Sequence, residues 1–128
     1  MKHYIADFET TGYEQYLIDG HTRVFMWAIA SVEDIKIVAR GTSIDTLMEW
    51  CFTTRRDKTT TLYFHNLKFD GSFILNWLYN NGYKRVKNFS NNPNKEFRTL
   101  ISDMGVWYGI TLKINKANYT IRVNINDS

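Results

Sequence analysis

The chain has 128 residues, 44% of them hydrophobic and 16% aromatic, which suits one globular domain and excludes a disordered protein. Its single cysteine excludes an internal disulfide, and the absence of a signal peptide or an apolar run of roughly 20 residues leads us to expect a soluble, cytoplasmic protein. Residues 1–50 carry eight acidic and four basic side chains, whereas residues 51–128 carry five acidic and twelve basic ones, and such a basic half favours either a polyanionic partner or simple solubility.

The first half of the chain alternates between strand and helix patterns. Residues 2–8 and the apolar run 23–32 are typical of strands, and residues 34–40 predict a hairpin partner after a turn at Glu33–Asp34. Ser43 predicts the N-cap of a first helix. The apolar face of that helix would consist of Ile44, Leu47, Met48 and Cys51. The polar segments 11–22 and 53–59 predict loops.

A short buried strand is predicted over residues 62–65, and a second helix over residues 69–80 with Gly82 near its C-cap. Residues 84–95 are basic and rich in asparagine, which predicts a long exposed connection. The remaining apolar segments predict strands over residues 98–101, 106–114 and 119–125, with turns at 103–105 and 115–118. This order predicts an α/β (α+β) fold, with a mixed central sheet, flanking helices and an antiparallel β meander at the C-terminal end.

Asp7 and Glu9 lie in the segment DFETT, residues 7–11, directly after the first strand pattern. Residues i and i+2 of a strand point to the same face, so both carboxylates project together while Phe8 is buried behind them. Two like charges at such a short distance are hard to keep ionised unless a divalent cation neutralises them, and hard cations such as Mg²⁺ prefer carboxylate oxygen. A solvent-facing edge strand explains the same pattern equally well.

The segment YFHNLKFDGSF, residues 63–73, joins a strand to a helix, and ligand sites of α/β sheets collect at such junctions. Asp70 falls in the first helical turn, where the helix dipole by itself favours a carboxylate. Phe69 and Phe73 are four residues apart, which is a spacing typical of core packing. Core packing does not explain the polar residues His65, Asn66 and Lys68 at the end of an apolar strand.

DFETT and, roughly sixty residues later, YFHNLKFDG together resemble the first and second exonuclease motifs of family B DNA polymerases. The match is closest to the protein-primed polymerases of small phages and linear plasmids. It extends through FILNWLYNNGY and ISDMGVWYGI to essentially the whole chain. The resemblance implies a ribonuclease-H-like fold and a 3′–5′ proofreading exonuclease that uses two Mg²⁺ (or Mn²⁺) ions on the single-stranded 3′ end of a primer.

The resemblance assigns a role to individual residues by their position in the two motifs. Asp7, Glu9 and Asp70 match the catalytic carboxylates that bind the metal ions. The residues that match contacts to the single-stranded primer end are Thr10, Tyr63, His65, Asn66, Phe69, Phe73 and Ser128. Stacking of a frayed base on an aromatic ring contributes about 1–3 kcal/mol without sequence preference, which a proofreader of any mismatched terminus needs.

The third motif of that family, a Tyr-x-x-x-Asp pair, has no counterpart among Tyr79, Tyr83, Tyr108 and Tyr119. The fourth carboxylate and the tyrosine that orients the attacking water are therefore missing. Loss of such groups removes several kcal/mol of transition-state stabilisation. The resemblance thus predicts that residues 1–128 form a single, incomplete exonuclease-like domain with weak or no nuclease activity on its own.

Three functions are compatible with these residues. The chain is the exonuclease-domain portion of a phage DNA polymerase, or a nuclease that completes its site by dimerising. Alternatively, it is a stand-alone module that binds single-stranded DNA, or a host protein in phage–host conflict, without catalysis. The basic residues that would bind DNA in this case are Lys68, Lys84, Arg85 and Lys87. None of the three requires a membrane or a small-molecule cofactor, and each places the chain in the host cell cytoplasm.

Overall fold

The structure, a computed structural model, describes residues 2–10, 20, 23–53, 58–101, 107–116 and 119–127. These residues form strands and helices in the order β1 (Lys2–Thr10), β2 (Val24–Ser31), β3 (Lys36–Gly41), α1 (Ile44–Phe52), β4 (Thr59–Phe64), α2 (Leu67–Asn80), β5 (Lys84–Arg85), β6 (Glu96–Ile101), β7 (Trp107–Asn115) and β8 (Thr120–Asp127). Neither of the two described helices is long and apolar enough to cross a membrane.

The described strands form one sheet in the order β3-β2-β1-β4-β8-β7-β6-β5. Strands β1, β4 and β8 run parallel to one another, so all three end at one edge of the sheet, which we call the carboxyl edge. β2 and β3 extend the sheet antiparallel on one side. On the other side β7 and β6 follow antiparallel, and β5 pairs in parallel with β6. The sheet is therefore mixed, as the sequence predicts.

Both described helices pack against one face of the sheet, which we call the core face. On β1, Tyr4, Ala6 and Phe8 are buried on this face, whereas the side chain of Ile5 on the opposite face is 53% exposed. Tyr4 packs edge-to-face against Trp50 of α1 at 5.1 Å between ring centroids. The opposite face, which we call the open face, carries Asp7 and Glu9.

The core lies between the core face and the inner sides of α1 and α2. Its largest fully buried side chains are Phe64, Phe97, Ile29, Leu47, Met48, Leu62, Leu67, Ile74, Leu78, Ile110, Leu112 and Ile125. Complete burial of an apolar side chain of this size contributes about 1.5–3 kcal/mol relative to an exposed one. These side chains come from β2, β4, β6, β7 and β8 and from both helices, so the core ties the sheet and the helix layer into one unit.

The predicted start of α1 is confirmed at Ser43. The Ser43 hydroxyl oxygen accepts a hydrogen bond from the backbone N–H of Thr46 at 3.3 Å, which is the bond expected of an N-cap serine. The indole Nε1–H of Trp27 donates to the carbonyl oxygen of Ser43 at 2.8 Å and to the hydroxyl of Thr46 at 3.0 Å. These bonds attach the first turn of α1 to β2.

Two predictions from the sequence are wrong in detail. β4 begins at Thr59, the last residue of a predicted loop, and includes Thr60 and Thr61, to which the sequence patterns assign no element. Both are only 3% exposed because β4 lies between β1 and β8. The predicted exposed connection 84–95 contains the short strand β5 and a buried proline, Pro93. The predicted antiparallel meander at the C-terminal end is confirmed in β6, β7 and β8, and β8 joins it to the central sheet by pairing with β4.

Other predicted turns have mixed outcomes. Gly82 follows the C-cap of α2 with a φ of 80°, a left-handed conformation that glycine adopts without steric cost, so this prediction is confirmed. The hairpin turn between β2 and β3 lies where it is predicted, at Glu33–Asp34 within the turn 32–35. The predicted turn at 103–105 and most of the predicted loop 11–22 lie outside the described residues.

Candidate functional site

The site lies at the carboxyl edge of the sheet, where β1 runs further than β4. The last residues that pair between these strands are Ala6 and Phe64, and β1 continues to Thr10. Beyond Phe64 the chain leaves the sheet through His65 and Asn66 and enters α2. This geometry brings the first turn of α2 close to the end of β1.

Asp7 and Glu9 project from this end of β1 on the open face. They lie opposite Ala28 and Met26 of β2, and both are exposed, whereas Phe8 between them is 7% exposed on the core face. The alternation predicted from the sequence is therefore confirmed. One Asp7 carboxylate oxygen accepts a hydrogen bond from the backbone N–H of Phe8 at 3.0 Å.

Asp70 lies in the first turn of α2, as predicted, and its side chain is only 8% exposed. Its backbone N–H donates to the carbonyl oxygen of Asn66 at 2.9 Å. Burial, and secondly the negative charge of Asp7, raise the pKa of the Asp70 carboxyl to about 6. The two motifs that the sequence singles out therefore meet at Asp7 and Asp70, which are near enough to repel each other.

The Asp7–Asp70 pair has the chemistry of a site for a divalent cation. Both side chains supply carboxylate oxygen, the ligand that Mg²⁺ and Mn²⁺ prefer, and a cation between them would offset both the burial of the Asp70 charge and its repulsion by Asp7, which together raise the pKa of Asp70. Among the residues that the structure describes, however, no three His, Cys, Asp or Glu side chains converge to hold a metal ion. The chemistry of the two carboxylates fits a cation, with Glu9 two residues from Asp7 along the same face, and the metal roles of Asp7, Glu9 and Asp70 stay predictions.

Polar residues surround the start of α2. Asn66 occupies the N-cap position, but its side chain makes no capping hydrogen bond. Asn66, His65 and Lys68 are all exposed. Backbone N–H groups of a first helical turn attract anions, so the start of α2 presents polar side chains and a favourable dipole to a phosphate group.

Two aromatic rings of α2 lie beside these polar residues. Phe69 is 46% exposed, whereas Phe73 is partly buried and packs against the core. The rings meet edge-to-face, with 5.4 Å between their centroids. Core packing therefore accounts for Phe73 but leaves the ring of Phe69 at the surface, where an aromatic face can stack on a base.

Tyr63 and Thr10 complete the set of predicted contacts that the structure describes. Tyr63 lies next to Ile5 and shares the open face with Asp7, while Thr10 follows a register shift after Glu9 and is partly exposed. The Tyr63 hydroxyl is 3.0 Å from Nδ1 of His3, and the two rings stack at 5.7 Å. Sequence reasoning missed His3, although the two-residue period of β1 places positions 3 and 7 on one face.

Asp127, at the end of β8, was also missed. One of its carboxylate oxygens accepts a hydrogen bond from the backbone N–H of Leu67 at 3.2 Å. It thereby supplies the N-terminal acceptor of α2 that the Asn66 side chain does not provide. Ser128, the last predicted contact to the primer end, lies outside the described residues.

No family model matches the chain, but individual phage proteins are similar to it. The DNA polymerase of Bacillus phage phi29 is 39% identical over 134 aligned residues, which cover 100% of this chain and 21% of that protein. The DNA polymerase of Bacillus phage B103 is 40% identical, with 87% of this chain and 17% of that protein covered. The DNA polymerase of Streptococcus phage Cp-1 is 34% identical, with 94% of this chain and 20% of that protein covered.

Solved structures give the same result. Phi29 DNA polymerase complexed with primer-template DNA matches at a TM-score of 0.77 and 35% identity, covering 99% of this chain and 20% of that one. Phi29 DNA polymerase complexed with single-stranded DNA matches at a TM-score of 0.77 and 35% identity, and the match covers 99% of this chain and 21% of that one. The chain spans about one fifth of the length of these relatives. Over essentially its whole length, the chain is homologous to the N-terminal region of the phi29-type protein-primed DNA polymerases.

Proposed function

We propose that the chain is the exonuclease-domain portion of a phage protein-primed DNA polymerase, related to metal-dependent 3′–5′ proofreading. In this proposal it binds the single-stranded end of a primer in the host cytoplasm and cleaves it weakly or not at all on its own. The observation that carries the proposal is the meeting of Asp7 and Asp70 at the carboxyl edge, where burial and, secondly, the charge of Asp7 raise the pKa of Asp70 to about 6. The proposal is also supported by homology to polymerases whose structures have been solved in complex with DNA.

Asp7 and Asp70 would hold Mg²⁺ or Mn²⁺, with Glu9 beside them. When bound, the ion supplies an activated water and stabilisation of the leaving oxygen. Without an ion, the pair repels an incoming phosphate, because the buried Asp70 carboxylate and the neighbouring Asp7 present only negative charge. Metal binding and binding of the primer end at this site are therefore coupled in the proposal.

The strand-holding role falls to the side chains around the start of α2. The exposed ring of Phe69 stacks on the terminal base, and His65 and Asn66 donate to the sugar or phosphate. Tyr63, Thr10 and the partly buried Phe73 flank them, and the first turn of α2 favours a phosphate through its dipole. None of these contacts reads a base sequence, as a proofreader of any terminus requires.

Weak cleavage follows from the groups that this chain does not contain. No tyrosine of the sequence is followed four positions later by an aspartate, so the pair that would orient water and add a carboxylate is missing. A site that loses such groups loses several kcal/mol of transition-state stabilisation. Binding does not depend on those groups, so single-strand binding should persist where cleavage fails.

Cleavage is tested with 5′-labelled single-stranded DNA in Mg²⁺ or Mn²⁺, with Asp7→Ala and Asp70→Ala as variants. We expect at most a faint product ladder, which both variants abolish. A strong ladder lost in both variants would contradict the weak activity but support the site. A ladder that survives in both variants would reject the carboxylate site.

Binding is tested by fluorescence anisotropy with a short labelled oligothymidylate in Ca²⁺, which suppresses cleavage. We expect Phe69→Ala to raise Kd by about 5- to 150-fold, the equivalent of one stacked base, and His65→Ala to raise it less. Tyr79→Ala is the matched control, because Tyr79 is an exposed aromatic of the same helix, 55% exposed and ten residues further on. Equal losses for Phe69 and Tyr79 variants would reject the proposed primer-end site.

A further inference from the structure

The open face carries a second group of charged side chains, far from Asp7 along the sheet. Lys113 of β7 lies directly opposite Arg122 of β8, and Arg98 of β6 lies opposite Thr111, two positions from Lys113. Directly opposite residues of antiparallel strands point to the same face. We call Arg98, Lys113 and Arg122 the basic face.

The three cations are held close together although like charges repel. Lys113 and Arg122 occupy directly opposite positions, at which Cβ atoms are about 4.5–5.5 Å apart and like charges destabilise a sheet. The Lys113 ammonium lies 4.6 Å from the ring centroid of Phe89, and the Arg98 guanidinium lies 5.9 Å from the same centroid. The ring of Phe89 thus makes cation–π contacts with two of the three cations. The third is held by a different contact, because the Arg122 Nε–H donates to the side-chain oxygen of Asn124 at 3.0 Å.

The basic face keeps a net positive charge because its three cations outnumber its one carboxylate. Of the side chains that β6, β7 and β8 place on this face, Glu96 is the only carboxylate. Its oxygens accept hydrogen bonds from the Ser90 hydroxyl at 2.6 Å and the Ser90 backbone N–H at 3.0 Å. These bonds are the main reason that the pKa of Glu96 lies below its ordinary value.

A polar track on the same face connects the basic face with the carboxylate site. Asn124 donates to the Thr61 hydroxyl at 3.3 Å, and Asn126 lies beside Tyr63. β7 is three strands from β1 and β6 is four, which corresponds to about 14–19 Å across the sheet at the usual spacing of strands. The registers also place Lys113 about six residues and Arg98 about four residues back from Asp7 along the strands, so both positions lie roughly 23–25 Å from that of Asp7. A stacked nucleic-acid strand covers this distance with about seven nucleotides of ~3.4 Å each.

We propose that the basic face binds the phosphate backbone of a single nucleic-acid strand, several nucleotides from the end held at Asp7 and Asp70. The position of that end rests on the proposed function, whereas the basic face rests on its own charges. Charge complementarity points to a polyanion. A sheet face offers no free backbone groups for an extended peptide to pair with, so a chain of phosphates fits better than an acidic peptide.

The test uses fluorescence anisotropy in Ca²⁺ with oligothymidylates of about 4 and about 16 nucleotides. For the double variant Lys113→Gln/Arg122→Gln we expect the Kd of the long strand to rise about tenfold. The logarithm of the association constant decreases linearly with the logarithm of the salt concentration, and the steepness of this decrease should drop by about 1.4. Each phosphate contact on a single strand contributes about 0.7 to it, and the double variant removes two contacts. The Kd of the short strand, which reaches only the carboxylate site, should not change.

The control is Lys36→Gln, which removes a positive charge from β3 at a position opposite Ser31, off the open face and at the other side of the sheet. Arg122→Glu serves as a second variant, because it places a carboxylate opposite Lys113 and so favours folding while it reverses the charge. We expect a larger loss of long-strand affinity for Arg122→Glu than for the double variant, and no loss for the control.

Three outcomes would overturn the inference. The first is an unchanged affinity and salt dependence for the long strand in both basic-face variants. The second is a loss of long-strand affinity in the β3 control equal to that in the basic-face variants. The third is displacement of the long strand by an oligoglutamate peptide as effectively as by unlabelled oligothymidylate. A failure of the proposed function is distinguishable. In that case short-strand binding is insensitive to Phe69→Ala, while long-strand binding still depends on Lys113 and Arg122.

Discussion

At the scale of single residues, Asp70 is where stability and the proposed function oppose each other. Its carboxyl is 8% exposed, and burial together with the charge of Asp7 raises its pKa to about 6. At neutral pH the group is nevertheless largely ionised, so the fold carries a buried negative charge that it does not need for packing. Such strain is typical of functional sites.

Asp70→Asn removes this charge with little change of shape. In EDTA near neutral pH we expect the free energy of unfolding to rise by on the order of 1–2 kcal/mol. The rise in the pKa of Asp70 from its ordinary value to about 6 corresponds to about 3 kcal/mol, and contact with solvent reduces that figure. Urea denaturation measures the change. Mg²⁺ should stabilise the unmodified chain and leave the variant unaffected, and a variant less stable than the parent in EDTA would contradict the prediction.

Sequence patterns predict the residues of the site better than their contacts. The alternation of Asp7, Phe8 and Glu9 and the place of Asp70 in a first helical turn are local properties, and both are confirmed. The bonds from His3 to Tyr63 and from Leu67 to Asp127 each join residues 60 positions apart. They depend on the strand order β1-β4-β8, which no local period encodes.

At the scale of elements, the start of α2 depends on a residue from another element. The Leu67 N–H has its acceptor in Asp127 of β8 at 3.2 Å, while the N-cap Asn66 makes no side-chain bond. Asp127→Ala removes both the acceptor and a charge that favours the helix dipole. We expect a loss of about 0.5–2 kcal/mol in the free energy of unfolding.

Urea denaturation of Asp127→Ala and Asp127→Asn separates the two contributions. The asparagine variant keeps an oxygen acceptor and loses only the charge, so its loss of stability should be the smaller of the two. Equal stability of the alanine variant and the parent chain would show that water caps α2 equally well.

Tyr83 determines how the end of α2 responds to alkaline pH. Its ring lies 5.9 Å from Phe52 and 5.6 Å from Trp77, and burial, then the nearby Cys51, raises the pKa of its phenol. The folded chain therefore keeps a proton that the unfolded chain releases near its ordinary pKa of about 10. Stability should fall as pH rises above about 10, since the unfolded state there binds fewer protons.

Tyr83→Phe keeps the ring and removes the ionisable group. Between about pH 9 and about pH 11 we expect its free energy of unfolding to fall less than that of the parent chain. Tyr79→Phe, at a position that is 55% exposed, is the control and should retain the slope of the parent. Identical slopes for all three proteins would refute the role of Tyr83.

The elements themselves were predictable to different degrees. α1 and the C-terminus of α2 follow from local chemistry, namely the N-cap serine Ser43 and the positive φ of Gly82. The length of β4 does not, because a run of threonines has the composition of a loop. Those threonines are buried only because β1 and β8 enclose them, and that neighbourhood is a property of the whole sheet.

At the scale of the whole molecule, the uneven charge of the sequence becomes two regions of one surface. The acidic first half supplies Asp7 and Glu9 on β1, and the basic second half supplies Arg98, Lys113 and Arg122 on β6 to β8. Strand order places both groups on the open face. The sequence predicts the charge of each half, but only the registers show that they share a face.

Arg122→Glu tests whether the repulsion between the cations of the basic face lowers the stability of the fold. Lys113 would then lie between Glu96 and a second carboxylate, and replacement of a like-charge pair by an opposite-charge pair stabilises a sheet by about 0.2–1 kcal/mol. We expect the free energy of unfolding to rise by about that amount at low salt and the gain to fade at about 1 M salt, where charges are screened.

Arg122→Gln separates charge from packing, because it removes the repulsion without adding an attraction, and its stability should lie between those of the parent and of Arg122→Glu. The same two variants should bind a long single strand in the reverse order, with Arg122→Glu the weakest. A more stable protein that binds less nucleic acid is the result expected of a face whose charges serve a ligand. If stability and affinity both fall in Arg122→Glu, Arg122 contributes to the fold alone, and the basic face loses its assigned role.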